Sequence, residues 1–180
     1  MIFIANDLKV MLLTRHVALK DIKLNKNEII KQIKILNEFL KNKYKINNPK
    51  IALCALNPHA GEGGILGMEE IEILNPLSEY LNKNKINITK PLSADGLFAK
   101  VGYEYLNNKK LTYDAIIACY HDQGLCPIKA IAFDKAVNTT IGLKIIRTSP
   151  TSGTAYDIAG KNIADYMIKT MEAIENGENK

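Results

Sequence analysis

Arginine is the scarcest charged residue in this chain. Arg15 and Arg147 stand alone among 24 Lys and Arg residues, so lysine supplies nearly all of the formal net charge of +5. The lysines cluster over residues 20–50 and at Lys83, Lys85, Lys109 and Lys110. No arginine or aromatic ladder accompanies them, so they describe a solvated surface and argue against a nucleic-acid partner. Cysteine is also sparse. Cys54, Cys119 and Cys126 form an odd set without Cys-x-x-Cys spacing, and two lie within apolar runs. That pattern excludes a disulfide framework and points to reduced, buried thiols in a cytoplasmic protein. No apolar run is long enough to cross a bilayer, and the opening Met1-Ile-Phe-Ile-Ala5 is too short for a signal peptide, so no membrane partner is expected.

The 180 residues suffice for one domain or for one and a half small ones. Short apolar runs at 8–14, 50–56 and 114–120 read as buried strands, and 86–88, 136–141 and 144–148 are further candidates. Asn25 is expected to cap a helix running to about Lys43, with Ile29, Ile30, Ile33, Leu36, Phe39 and Leu40 on one face. A helix over 67–83 is expected to pack Met68, Ile71, Ile73, Leu74 and Leu77, with Pro76 kinking or interrupting it. Further helices are expected over 97–106, around Lys129 and over 162–174. Strands alternating with helices predict an α/β fold with a mostly parallel sheet.

The chemistry collects behind the strands. Asn57-Pro58-His59-Ala60-Gly61-Glu62-Gly63-Gly64 follows the 50–56 run, and its glycines allow positive φ and close approach to a ligand. The chain has three histidines, and each directly follows an expected strand: His16, His59 and His121. If about a fifth of an α/β chain counts as strand end, three such placements coincide in about one chain in a hundred. In a parallel sheet these ends face one crevice, so the imidazoles can converge within a chain or be shared between subunits. Three neutral imidazoles with an open fourth position suit a catalytic zinc site. The plainer alternative is three unrelated loop histidines. Asp122 can orient an imidazole or ligate a metal itself. Asp95 is a helix cap or a catalytic carboxylate, and Glu62 lies near a helix start. Lys129, Asn138 and Arg147 fall on successive elements and together can hold the carboxylate or phosphate of an anionic substrate.

The segments Thr14-Arg15-His16, Leu56-Asn-Pro-His-Ala-Gly-Glu-Gly-Gly64, Leu92-Ser-Ala-Asp95, Tyr120-His-Asp-Gln-Gly124 and Ile146-Arg-Thr-Ser149 resemble, in order, the 4-hydroxythreonine-4-phosphate dehydrogenase family of pyridoxal phosphate biosynthesis. The resemblance implies a three-layer α/β/α fold like that of isocitrate and isopropylmalate dehydrogenases, which agrees with the absence of a GxGxxG motif. It implies that His16, His59 and His121 bind a divalent metal, Zn2+ foremost with Mg2+ or Co2+ as alternatives. It implies that Lys129, Asn138 and Arg147 contact a phosphorylated hydroxy amino acid. The stretch Gly153-Thr154-Ala155-Tyr156-Asp157-Ile158 is similar to that fold's nucleotide-binding loop and implies NAD, or NADP, as hydride acceptor. A homodimer with shared active sites is implied as well. Lys129 and Asp122 are the candidate general bases. Residues 1–112 are then the metal, substrate and dimerisation part, and 113–180 the part bearing substrate and cofactor loops. Family members are longer at the N-terminus, so the chain resembles a C-terminal portion, and the 180 residues alone are expected to be inactive. The rival expectations are a dehydrogenase for a related phosphorylated four-carbon hydroxy acid and a non-catalytic metal-binding or dimerisation fragment.

Overall fold

The side chains of the central strands alternate between two apolar layers, and that alternation organises the structure. The computed structural model describes residues 1–133, 135–145, 147–151, 160 and 161. Its strands are β1 (Ile2–Ala5), β2 (Leu8–Leu12), β3 (Ile51–Cys54), β4 (Ile88–Leu92), β5 (Ala115–Ala118), β6 (Val137–Thr140) and β7 (Arg147–Pro150). They form one sheet in the order β4-β3-β5-β2-β1-β6-β7. Met11, Ile51, Leu53 and Ile117 meet helices α1 (Lys26–Tyr44) and α2 (Asn75–Lys83) on one face. Val10, Leu12, Ala52 and Ile116 meet α3 (Ala94–Leu106) and α4 (His121–Ala132) on the other. The expected mixture of helix and sheet is therefore present as three layers. Each large aliphatic side chain buried between them contributes about 1.5–3 kcal/mol.

Strands β4, β3, β5 and β2 are parallel neighbours. Strand β1 runs against both β2 and β6, and β7 runs against β6, so five of the seven strands share a direction. Strand β1 was not apparent from the sequence. It is four residues long and turns directly into β2 through Asn6 and Asp7, with Asn6 at φ 52°, a left-handed conformation that asparagine tolerates.

Helix α1 forms as its pattern predicts. The Asn25 side chain accepts from the Asn27 and Glu28 amides at 3.0 and 3.1 Å, and Ile29, Ile33, Leu36 and Leu40 are buried. The helix expected over 67–83 differs. Gly67 has φ 137°, a π turn occupies Glu70–Leu74, and α2 begins at Asn75. Pro76 falls in the first turn of α2, where a missing N–H is tolerated. Leu74 and Leu77 are buried as expected, but Met68 and Ile71 are exposed, because the backbone around them is not α-helical. The strand expected at 86–88 lies at 88–92, on the sheet edge where Pro91 is tolerated. The helix expected at 162–174 lies outside the described residues. Among the described residues, no helix is long and apolar enough to cross a membrane.

Candidate active site

Because β4, β3, β5 and β2 are parallel and adjacent, the segments leaving their carboxyl ends emerge along one rim. Thr14–His16 leaves β2, Tyr120 and His121 leave β5, the Asn57–Gly64 loop leaves β3, and Ser93–Asp95 leaves β4. The strand ends are tied to one another. Thr14 Oγ1 donates to the Cys119 carbonyl at 2.8 Å. The Gln123 side chain accepts from the Cys119 amide and donates to the Ala55 carbonyl, both at 2.7 Å. A single side chain in the first turn of α4 thus bridges the ends of β3 and β5.

The structure brings two of the three histidines together. The rings of His16 and His121 have centroids 5.4 Å apart. Asp122 Oδ1 lies 2.7 Å from His121 Nδ1. When His121 donates through Nδ1, its Nε2 lone pair is available to a ligand, so this contact suits an orienting carboxylate. An open cavity of about 350 Å³ lies against the pair, lined by Arg15, His16, Leu19, Tyr120, His121 and Asp122. Burial, followed by nearby thiols and the Asp122 carboxylate, raises the Tyr120 phenol above its ordinary pKa. Burial likewise pushes the Cys54 thiol up to about 12 and the Cys119 thiol well above its ordinary value, which keeps both protonated and unsuited to ligation.

His59 stands apart from this pair. It begins a run of five left-handed residues, His59 to Gly63, with φ between 45° and 76°. Three of the five are not glycine, and each such residue costs roughly 1–2 kcal/mol in this region. Surrounding contacts must therefore hold the turn. Glu62 is exposed on it. Asp95, across the rim, is held below the usual carboxylate range, first by the Ser93 hydroxyl, then by the Gly96 amide, and more weakly by His59. Asp95 lies in the first turn of α3, but the cap position expected for it is held by Ser93, and no side-chain cap hydrogen bond forms there. Among the described residues, no three His, Cys, Asp or Glu side chains of one chain gather into a metal-holding group.

The anion-binding candidates lie farther along the sheet. Register places Asn138 opposite Phe3 and Ser149, and Thr140 opposite Arg147, so these side chains share the face covered by α4, the helix that carries Lys129. Asn138 Nδ2 donates to Ser149 Oγ at 3.2 Å, while its buried Oδ1 has no partner among the described residues. Arg147 donates to Thr140 Oγ1 at 3.1 Å and is exposed. Gly153, Thr154, Ala155, Asp157 and Ile158 lie outside the described residues. Sequence reasoning missed Gln123, Asn57 and Glu70. The polar pair Glu69-Glu70 ahead of an apolar helix was the available signal for Glu70.

A family model described as pyridoxal phosphate biosynthetic protein PdxA matches residues 1–176. The chain belongs to the PdxA family. A 4-hydroxythreonine-4-phosphate dehydrogenase from Sulfurihydrogenibium sp. is 46% identical over 177 residues, covering 97% of this chain and 52% of that protein. The crystal structure of the enzyme of that name from Klebsiella pneumoniae superposes with a TM-score of 0.79 at 33% identity, covering 98% of this chain and 52% of the other. A terephthalate 1,2-cis-dihydrodiol dehydrogenase from Burkholderia xenovorans also shares the fold, with a TM-score of 0.74 at 27% identity, covering 97% of this chain and 53% of the other. The chain spans about half the length of the curated relatives it matches. For a PdxA-family chain the donor chemistry fits a divalent cation: paired imidazoles, one oriented by a carboxylate, on a rim open to solvent.

Proposed function

We propose that this chain is part of an NAD- or NADP-dependent dehydrogenase that, with a divalent cation, oxidises 4-phosphooxy-L-threonine to 2-amino-3-oxo-4-phosphooxybutanoate. Loss of carbon dioxide from that product gives 3-amino-2-oxopropyl phosphate, on the way to pyridoxine 5'-phosphate. The observation that carries the reading is the 5.4 Å approach of the His16 and His121 rings at the carboxyl rim of the parallel strands, in a PdxA-family chain.

His16 and His121 of one chain and His59 of a second copy complete a three-imidazole donor set, which makes the active unit a homodimer. When bound, the cation would supply Lewis acidity at the substrate hydroxyl and the nicotinamide would supply a hydride acceptor. Asp122 holds the His121 ring through Nδ1. Arg147, Asn138 and Lys129 grip the phosphate and carboxylate of the substrate, with Arg147 providing a bidentate fork. Lys129 and Asp122 are the candidates to take the hydroxyl proton. Residues 1–112 supply His16, His59 and the subunit contact, and residues 113–180 supply His121, the anion grip and the nicotinamide-binding residues Gly153, Thr154, Ala155, Asp157 and Ile158.

Calorimetric titration of the chain with 4-phosphooxy-L-threonine, with and without Zn2+, tests the reading. Binding should require the cation and weaken in Arg147→Ala. Equal binding without the cation would contradict it. A second reading, a dehydrogenase for a different hydroxylated acid, is favoured by the likeness to the terephthalate dihydrodiol enzyme. Tighter binding of a non-phosphorylated diol or hydroxy acid would select that reading.

A further inference from the structure

The left-handed turn that carries His59 is anchored from beneath by a carboxylate. Glu70 is 2% exposed, and Glu70 Oε1 accepts from the backbone amides of Leu56 and Asn57 at 2.7 and 2.9 Å. Glu70 Oε2 accepts from Asn57 Nδ2 at 3.0 Å, and the same Asn57 amide donates to Glu69 Oε2 at 2.8 Å. These donors lie immediately before Pro58 and His59. A buried carboxylate is tolerated only when its oxygens are satisfied, and here backbone and side-chain amides of the loop satisfy them.

The glycines of the motif fit around that carboxylate. A Cβ on Gly61 would sit 2.6 Å from Glu70 Oε2, and one on Gly67 would overlap the Asn57 side chain. Both glycines also have positive φ. Glu70 opens the π turn Glu70–Leu74, in which Glu70 and Leu74 are buried while Ile71 is exposed. The glycine motif, the π turn and the Glu70 side chain therefore make one device that fixes where the strand-to-turn junction leaves β3.

We propose that Glu70 is the positioning residue for His59, setting the ring's place on the rim for cation binding through the Leu56 and Asn57 amides. This rests on the reading of His59 as a metal ligand.

Cobalt titration of the chain, followed by the absorption of the bound ion, is combined with amide hydrogen exchange on the metal-free chain. The variants are Glu70→Gln, Glu70→Ala and His59→Ala. Glu70→Gln keeps the shape and one acceptor oxygen but turns an amide group toward Asn57. Both Glu70 variants should weaken cobalt binding roughly 10- to 100-fold, the size of loss typical for groups that orient a ligand, with Gln milder than Ala. They should also speed exchange at the Ile65 and Leu66 amides, which bond back to Glu62 and Gly61 within the turn, and leave the β3 and β5 amides protected. Wild-type cobalt affinity and wild-type loop exchange in folded Glu70→Gln, with loss of binding in His59→Ala, would overturn the proposal alone. Wild-type affinity in His59→Ala would overturn the metal reading and the proposal with it.

Discussion

At the residue scale, the rim depends on a few buried polar contacts. Gln123 satisfies the amide of Cys119 and the carbonyl of Ala55, two residues with no exposed surface. Gln123→Ala strands both groups, so urea unfolding should show a loss of about 1–3 kcal/mol. The buried thiols add a pH dependence. The Cys54 thiol has an ordinary value of 9.0 and is pushed by burial to about 12 in the fold. Between those values the unfolded chain has lost the proton and the folded chain keeps it, so the Cys54 contribution is intact below pH 9 and is lost as pH rises toward 12. Unfolding midpoints measured across that window should fall less steeply in Cys54→Ala than in the wild type. His16, His59 and His121 were legible as a set because each follows an apolar run. Their unequal grouping was not, since the ring positions depend on how each segment leaves the rim.

At the element scale, α1 shows what local signals can specify. Its cap, its apolar face and its end near Tyr44 all follow from residues within the helix and beside it. Asn25→Ala removes two hydrogen bonds at the first turn and should lower stability by about 1 kcal/mol, read from the shift in the chemical unfolding midpoint. The segment after the glycine motif was less legible. Its apolar spacing suggested a continuous helix, but the left-handed turn, Gly67 and the π turn are set by a tertiary partner, the Glu70 carboxylate beneath the loop. Strand β1 escaped notice for a related reason: four apolar residues have no distinctive period, and although the hairpin to β2 is local, the pairing with β6 is a long-range choice.

At the scale of the whole molecule, the alternation of elements foretold the mixture of helix and sheet and the shared direction of most strands. It did not foretell the antiparallel β1, which separates the parallel block from β6 and β7. That arrangement sets the histidine rim and the Asn138–Arg147 face on different parts of one sheet. The His16 and His121 rings are in contact, and among the described residues no three ligating side chains gather, so the account assigns the third imidazole, His59, to a second copy. The most direct test is the bound-metal content of the wild type, of His59→Ala, of His121→Ala and of the two variants unfolded and refolded together in equal amounts. The account predicts metal in the wild type and little in either variant alone. It predicts recovery to about a quarter of the wild-type content in the mixture, because half of the dimers are mixed and each of these rebuilds one of two sites. Wild-type metal content in His59→Ala, or a mixture no richer in metal than its parents, would contradict it.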